Sequence, residues 1–400
     1  LCYLDMKKIL NIDFINSFLL ILASISTNMG NTLFLLGINL WILQTYDSIR
    51  LLGIVSAVST IPIILFSLTG GVLSDFANKK YIIVICDALS GIICLIFLLF
   101  FERIDITYVI ILTILLSIIH SIFSSAIRSL PPYVIEQNNI KKFNSALNFS
   151  FQFVNIVTPM LFGFIILVFD FSLRLLLLLK GLSLIISAFF EMFLKIKYYH
   201  EKERVDKLRV VNSIVSSIKY LRKQKYIFSV ILLASFVNIF IAGYNIFLPY
   251  YAEYFEASHF YGFFLSIESA GGIIGSILTM FIFKKDIKIS IYLAISGLFL
   301  ILTFFDYDIA FMSIAVLGFG IFLSVFNITF FSYLQNNISV EFLGRVISLT
   351  SSLALVFMPI GDLIFGFLIE VIGINSFGFI GLCILLLSTL HLLFLKFYKI

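Results

Sequence analysis

Six ionisable side chains stand inside runs of otherwise apolar residues: Asp87, His120, Lys180, Glu191, Glu268 and Asp362. In a helix that crosses a bilayer, a charge near the midplane costs ~2.5–3.5 kcal/mol or more, so each is a candidate functional group. The chemistry open to them is proton binding and charge pairing. A carboxylate in apolar surroundings suits a proton carrier because desolvation disfavours its charged form. Glu268 ranks first, being deep in its run with Gly271 and Gly275 following on the same helical face. Asp87 is second, with structural pairing to basic loops as its competing role, and Asp362 is third. Glu191 and His120 lie near the ends of their runs and are expected to reach water. Lys180 is expected to extend its amine outward along its apolar stem.

Neutral polar residues form a second constellation. One run carries Asn144, Asn148, Gln152 and Asn155 on a single helical face that ends at Pro159. Others carry Asn28, Asn31 and Asn39, then Asn238 and Asn245, then Ser324 and Asn327. Lipid gives no reason for such stripes. They read either as hydrogen-bonded glue between helices, each bond contributing about 0.6–2 kcal/mol, or as the lining of a wet cavity that takes a small-molecule substrate.

A third feature is the stretch Gly71-Val72-Leu73-Ser74-Asp75-Phe76-Ala77-Asn78-Lys79-Lys80, which joins two long apolar runs. It sets an acid between a glycine and a lysine pair. Other chemistries lack their residues. His120 has no companion at metal-ligand spacing, and no phosphate-binding loop or enzyme site is present. The four cysteines form no C-x-x-C pair, so neither a disulfide nor structural zinc is expected. No cofactor and no nucleic-acid partner are expected.

The elements that must hold these groups follow from composition. Hydrophobic residues make up 61% of the 400 and charged residues 12%, against about half and a quarter in a soluble domain. The chain is therefore read as using lipid as its solvent. Breaks at charges and turn residues give twelve spans, near 14–43, 49–73, 80–101, 105–128, 145–169, 173–194, 227–251, 260–283, 288–305, 309–333, 345–369 and 375–395. A membrane helix needs ~20 such residues. The first run is too long for a signal sequence and lacks a small-residue cleavage site, so an uncleaved first helix is expected.

Lys and Arg set the orientation. With both termini in the cytoplasm, 23 of the 27 fall on the inner side, Arg50, Arg103 and Arg174 on the outer side, and Lys180 within a span. The net charge of +5 is thus a consequence of sidedness. An internal echo recurs at an offset of 200 residues, with Tyr133-Val134 against Tyr333-Leu334 and Pro159 against Pro359. The predicted organisation is an all-α membrane protein of two pseudo-symmetric halves, 1–196 and 226–400. The linker at 197–225 carries an amphipathic helix, with Val211, Ile214, Val215, Ile218 and Leu221 as its apolar stripe. Large repeats of this kind are typical of secondary transporters.

The loop at 71–80 resembles the cytoplasmic loop motif of the major facilitator superfamily, Gly-x-Leu-Ala-Asp-Arg-x-Gly-Arg-Lys. Gly71, Leu73, Asp75, Lys79 and Lys80 fit, while Phe76 and Asn78 depart. Leu130-Pro131-Pro132-Tyr133, Leu248-Pro249-Tyr250-Tyr251 and Gly344-Arg345 resemble the bacterial macrolide-efflux and enterobactin-export group. The second loop copy, Phe283-Lys284-Lys285-Asp286, lacks the expected acid, and Thr158-Pro159 with Gly163 is a reduced antiporter motif. The resemblance implies a gate in which Asp75, at the start of span 3, meets the start of span 11 at Arg345. It also implies proton-coupled export by alternating access, from a bacterial inner membrane, of a hydrophobic or amphipathic macrolide-like drug. A monomer is expected. Export of a siderophore or other endogenous metabolite is the alternative, and a non-transporting scaffold or receptor a third reading.

Overall fold

The computed structural model describes residues 2–76, 78–99, 105–169, 171–196, 219, 221, 224–281, 288–305 and 307–397. Its side chains are described except at 2–11, 67–76, 137, 138, 141, 280, 281, 340–345 and 348. The predicted amphipathic helix of the linker lies almost wholly outside the described residues.

Every span predicted from hydropathy is a helix. The order is α1 (Cys2–Tyr46), α2 (Ile49–Phe76), α3 (Lys79–Leu99), α4 (Ile106–Ser129), α5 (Gln137–Phe169) and α6 (Leu173–Met192). Then come α7 (Lys225–Tyr254), α8 (His259–Phe281), α9 (Ser290–Ile301), α10 (Ile309–Asn337), α11 (Val340–Ile372) and α12 (Ser376–Phe397). No strand occurs among the described residues. Ten apolar helical stretches among the described residues are long enough to cross a bilayer, one of them, Leu349–Phe397, running through α11 and α12; α9 is shorter and extends through a 3-10 turn to Phe304. With no water to bond exposed amides in a bilayer core, helices satisfy their own backbone.

Local chemistry fixes several ends. Asp105 caps α4, accepting from Thr107 N and Tyr108 N at 2.9 and 3.1 Å, and Ser172 caps α6. Such caps satisfy amides that have no partner within the helix. Pro131 and Pro132 make a one-turn helix, Pro131–Val134, between α4 and α5.

The chain forms two compact units, residues 1–41 with 58–203, and residues 42–57 with 204–400. In the first, Asn16 is fully buried and holds three backbone groups: Nδ2 donates to Val134 O (2.7 Å) and Lys195 O (2.9 Å), and Oδ1 accepts from Lys195 N (3.0 Å). Asp13 beside it accepts from Glu136 N at 3.0 Å. These bonds tie α1 to the turn after α4 and to the end of α6.

In the second unit the end of α1 and the start of α2 pack on the C-terminal helices. Gly53 and Gly366 let α2 and α11 approach so closely that a Cβ on Gly53 would lie 2.4 Å from Asp362 O. Arg50 pairs with Glu370 and stands 4.8 Å over the Phe367 ring. The sequence reading did not anticipate residues 42–57 joining this unit.

The internal repeat appears in the packing itself. A Cβ on Gly91 of α3 would lie 2.9 Å from Gly181 O of α6. A Cβ on Gly297 of α9 would lie 2.7 Å from Gly381 O of α12. The third and sixth helices of each half thus meet through a pair of glycines. Pro159 and Pro359 likewise sit buried inside α5 and α11.

Candidate functional site

The gate residues fall differently from the sequence expectation. Gly71 and Asp75 are helical and belong to the last turns of α2, not to the start of span 3. Helix α3 begins at Lys79, and Arg345 stands in the second turn of α11. The side chains of Gly71's neighbours through Asp75, and of Arg345, lie outside the described residues. Sequence reading placed the helix break at Asp75 because glycine and aspartate mark turns. The helix instead carries on to Phe76.

That position has a physical consequence. A carboxylate in the last turn of a helix meets the negative end of the helix dipole, which is unfavourable by about 0.3–1 kcal/mol. Of the two loop lysines, Lys79 is buried with its amine 5.2 Å from the Tyr133 ring, so it anchors α3 to the turn after α4. Lys80 lies 6.0 Å from the neighbouring Tyr81 ring.

Glu268 is partly buried on α8. Its Oε2 accepts a 2.9 Å hydrogen bond from the hydroxyl of Tyr244 on α7. Tyr244 is itself 1% exposed and stacks on Phe319 (4.6 Å) and Phe377 (5.4 Å). The glycines after Glu268 serve helix approach: a Cβ on Gly271 or Gly275 would lie 2.5 or 2.3 Å from carbonyl oxygens of α10. Asp362 is buried on α11, with its backbone oxygen against Gly53.

Among the described residues Asp87 pairs with no basic loop. It is buried on α3 and accepts from the Thr27 hydroxyl of α1 at 2.6 Å. Lys180 does not reach outward either: it is 6% exposed, with its amine 4.0 Å from the Phe34 ring. Glu191, expected at water, is fully buried. His120 is exposed as expected and stacks on Phe123.

The amides divide into two sets. Asn28 and Asn238, on the first helix of each half, each donate 2.7 Å bonds to a carbonyl one turn back, from Ser24 and Ala234. Asn39 is buried and Asn31 partly so. Asn148, Gln152, Asn155, Asn245 and Asn327 are exposed. An exposed amide is poorly suited to lipid, so Asn148, Gln152, Asn245 and Asn327 each favour contact with water over helix–helix glue. They carry hydrogen-bonding capacity and no charge.

One polar residue escaped sequence reading. His391 on α12 has Nδ1 2.6 Å from Ser290 Oγ and Nε2 3.0 Å from Ser229 Oγ, joining α12, α9 and α7. Serine at the start of α9 and near the start of α7 was the available signal. Among the described residues no group of His, Cys, Asp and Glu could hold a metal.

The model of the Major Facilitator Superfamily matches residues 20–361. The chain is 23% identical over 377 residues to the Staphyloferrin A transporter of Staphylococcus aureus (strain NCTC 8325 / PS 47), covering 92% of each. Among solved structures, a bacterial homologue of the iron transporter ferroportin in an inward-facing state aligns with TM-score 0.74 at 16% identity, covering 94% of this chain and 97% of that one. The nucleoside transporter NupG aligns with TM-score 0.71 at 15% identity, covering 96% and 99%. Twelve helices in two repeated halves, with a family match across most of the chain, make this protein a transporter and a member of the Major Facilitator Superfamily.

Proposed function

We propose that this transporter is a proton-coupled secondary exporter working by alternating access. The observation that carries the cargo class is the set of exposed, uncharged amides on α5, α7 and α10, which offers hydrogen bonds to a polar small molecule without demanding a charge. Together with the relative that transports staphyloferrin A, this moves siderophore-type metabolites ahead of macrolide-like drugs. The macrolide reading keeps one support: the intramembrane Lys180 is buried, so its amine is not exposed to recruit an acid. A deletion strain tested across drugs and siderophores decides between them. Accumulation of an intracellular siderophore supports the first reading, and drug hypersensitivity with normal siderophore release supports the second.

Sidedness is part of the proposal, with both termini and the 197–225 linker in the cytoplasm and the whole chain in a bacterial inner membrane. Lys207→Cys in whole cells is expected to resist an impermeant thiol reagent and to react after the membrane is opened. Labelling in intact cells reverses the topology.

Gating by Asp75 with Arg345 is the third part. Asn keeps the size and shape of Asp, so Asp75→Asn is expected to fold as well as the parent. Transport is nevertheless expected to fall severalfold, because the gate loses its ionic partner. Unchanged efflux by a well-folded Asp75→Asn protein rejects the gate.

A further inference from the structure

The first unit holds a buried polar constellation on α1, α3 and α6. The Thr27 hydroxyl donates to Asp87 Oδ2 at 2.6 Å and lies 2.7 Å from Ser187 Oγ, which also reaches Ala23 O at 3.1 Å. One turn further along α6, Glu191 is 0% exposed, and among the described residues neither of its oxygens has a hydrogen-bond partner. Two turns the other way, Lys180 is in electrostatic range of Asp87, and Glu191 is in range of Asp87 as well.

Charge accounting follows from these placements. A buried ionised carboxylate is tolerated when it is paired and hydrogen-bonded. Asp87 has both, from Thr27 and from the field of Lys180. Among the described residues Glu191 has neither hydrogen bonds nor a cation, and Asp87 repels its charge. The other titratable groups on the surrounding helices do not change this. Cys86 and Cys94 of α3 are buried thiols, and on α4 it is His120 that feels the charges of Lys180 and Arg128. Leu20 of α1, Ile83 of α3 and Leu194 just past the end of α6 are at most 2% exposed and belong to one apolar cluster.

We propose that Thr27, Asp87, Ser187 and Glu191 form a proton-binding site, with the proton on Glu191 and Asp87 as the ionised member balanced by Lys180. The buried acid without a partner among the described residues is the observation that points to a bound proton; an aspartate that accepts from the Thr27 hydroxyl would not do so alone. The site is separate from the Tyr244–Glu268 pair of the second unit. It holds whichever cargo is carried, and whether or not the export reading survives.

Infrared spectroscopy of the purified full-length protein at neutral pH tests this without a cargo. A protonated-carboxyl C=O band is expected in the parent, shifted by growth on carboxyl-13C glutamate, and reduced by one carboxyl in Glu191→Gln but not through Asp87→Asn. Lys180→Met is expected to add a second band, as Asp87 takes up a proton once its counter-ion is gone, and Lys180→Met with Asp87→Asn is expected to lose it again. The isotope experiment does not depend on Glu191→Gln, so it stands even if that variant misfolds. Labelling then uses Glu268→Gln as background to exclude the other intramembrane glutamate. Absence of a glutamate-derived band in that background, or no added band in Lys180→Met, overturns the proposal.

Discussion

Gly381→Ala is expected to lower the melting temperature and folded yield in detergent, while Gly272→Ala is expected to leave both unchanged or raise them. Both substitutions improve helix propensity by up to about 1 kcal/mol. They differ in what the new methyl meets. At Gly381 it would lie 2.6 Å from Gly297 O, 2.7 Å from Leu300 Cβ and 2.9 Å from Ile301 N, whereas at Gly272 nothing lies within 4 Å. Two of the three neighbours at Gly381 are backbone atoms, which cannot rotate away. Overpacking of this kind costs about 1–3 kcal/mol and outweighs the propensity gain. Gly91→Ala, at the repeat-related contact, is expected to behave like Gly381→Ala. Equal stability of Gly381→Ala and Gly272→Ala would show that α9 and α12 are not in backbone contact.

Glu268→Gln is expected to reduce pH-gradient-driven efflux to the level of protein-free vesicles while leaving cargo binding measurable. The substitution separates two roles cleanly. The glutamine carbonyl can still accept the bond that Tyr244 donates at 2.9 Å, so a purely static role predicts near-normal transport. A proton carrier must bind and release a proton, which an amide cannot do. Tyr244→Phe makes the reciprocal change, removing the donor while keeping the titratable group. Partial transport with an altered pH profile is expected there. Full gradient-driven transport by Glu268→Gln would move coupling to Asp87 or Asp362, or away from carboxylates.

The sequence alone determined the membrane class, the number of helices and most of their limits. Apolar run length is a one-dimensional property and bilayer thickness is fixed. The basic residues and the 200-residue echo added a sidedness proposal and the two related halves in the same way. Helix ends next to Gly, Asp and Asn were the weak point. A lipid-embedded helix such as α2 continues through residues that break helices in water, and so Asp75 came to lie on α2. What only the tertiary structure decided was the company each polar residue keeps. Lys180 and Glu191 look alike in sequence, as single charges in apolar runs, and both were expected to reach water. Packing of α6 against α1 and α3 buried both, giving one an aromatic face and the other no hydrogen-bond partner among the described residues. His391 was silent in sequence because its meaning depends on Ser229 and Ser290, which are 162 and 101 residues away. The amide stripes were visible as periodicity. Their division into back-bonded and exposed members was not, because exposure depends on which neighbouring helix covers a face.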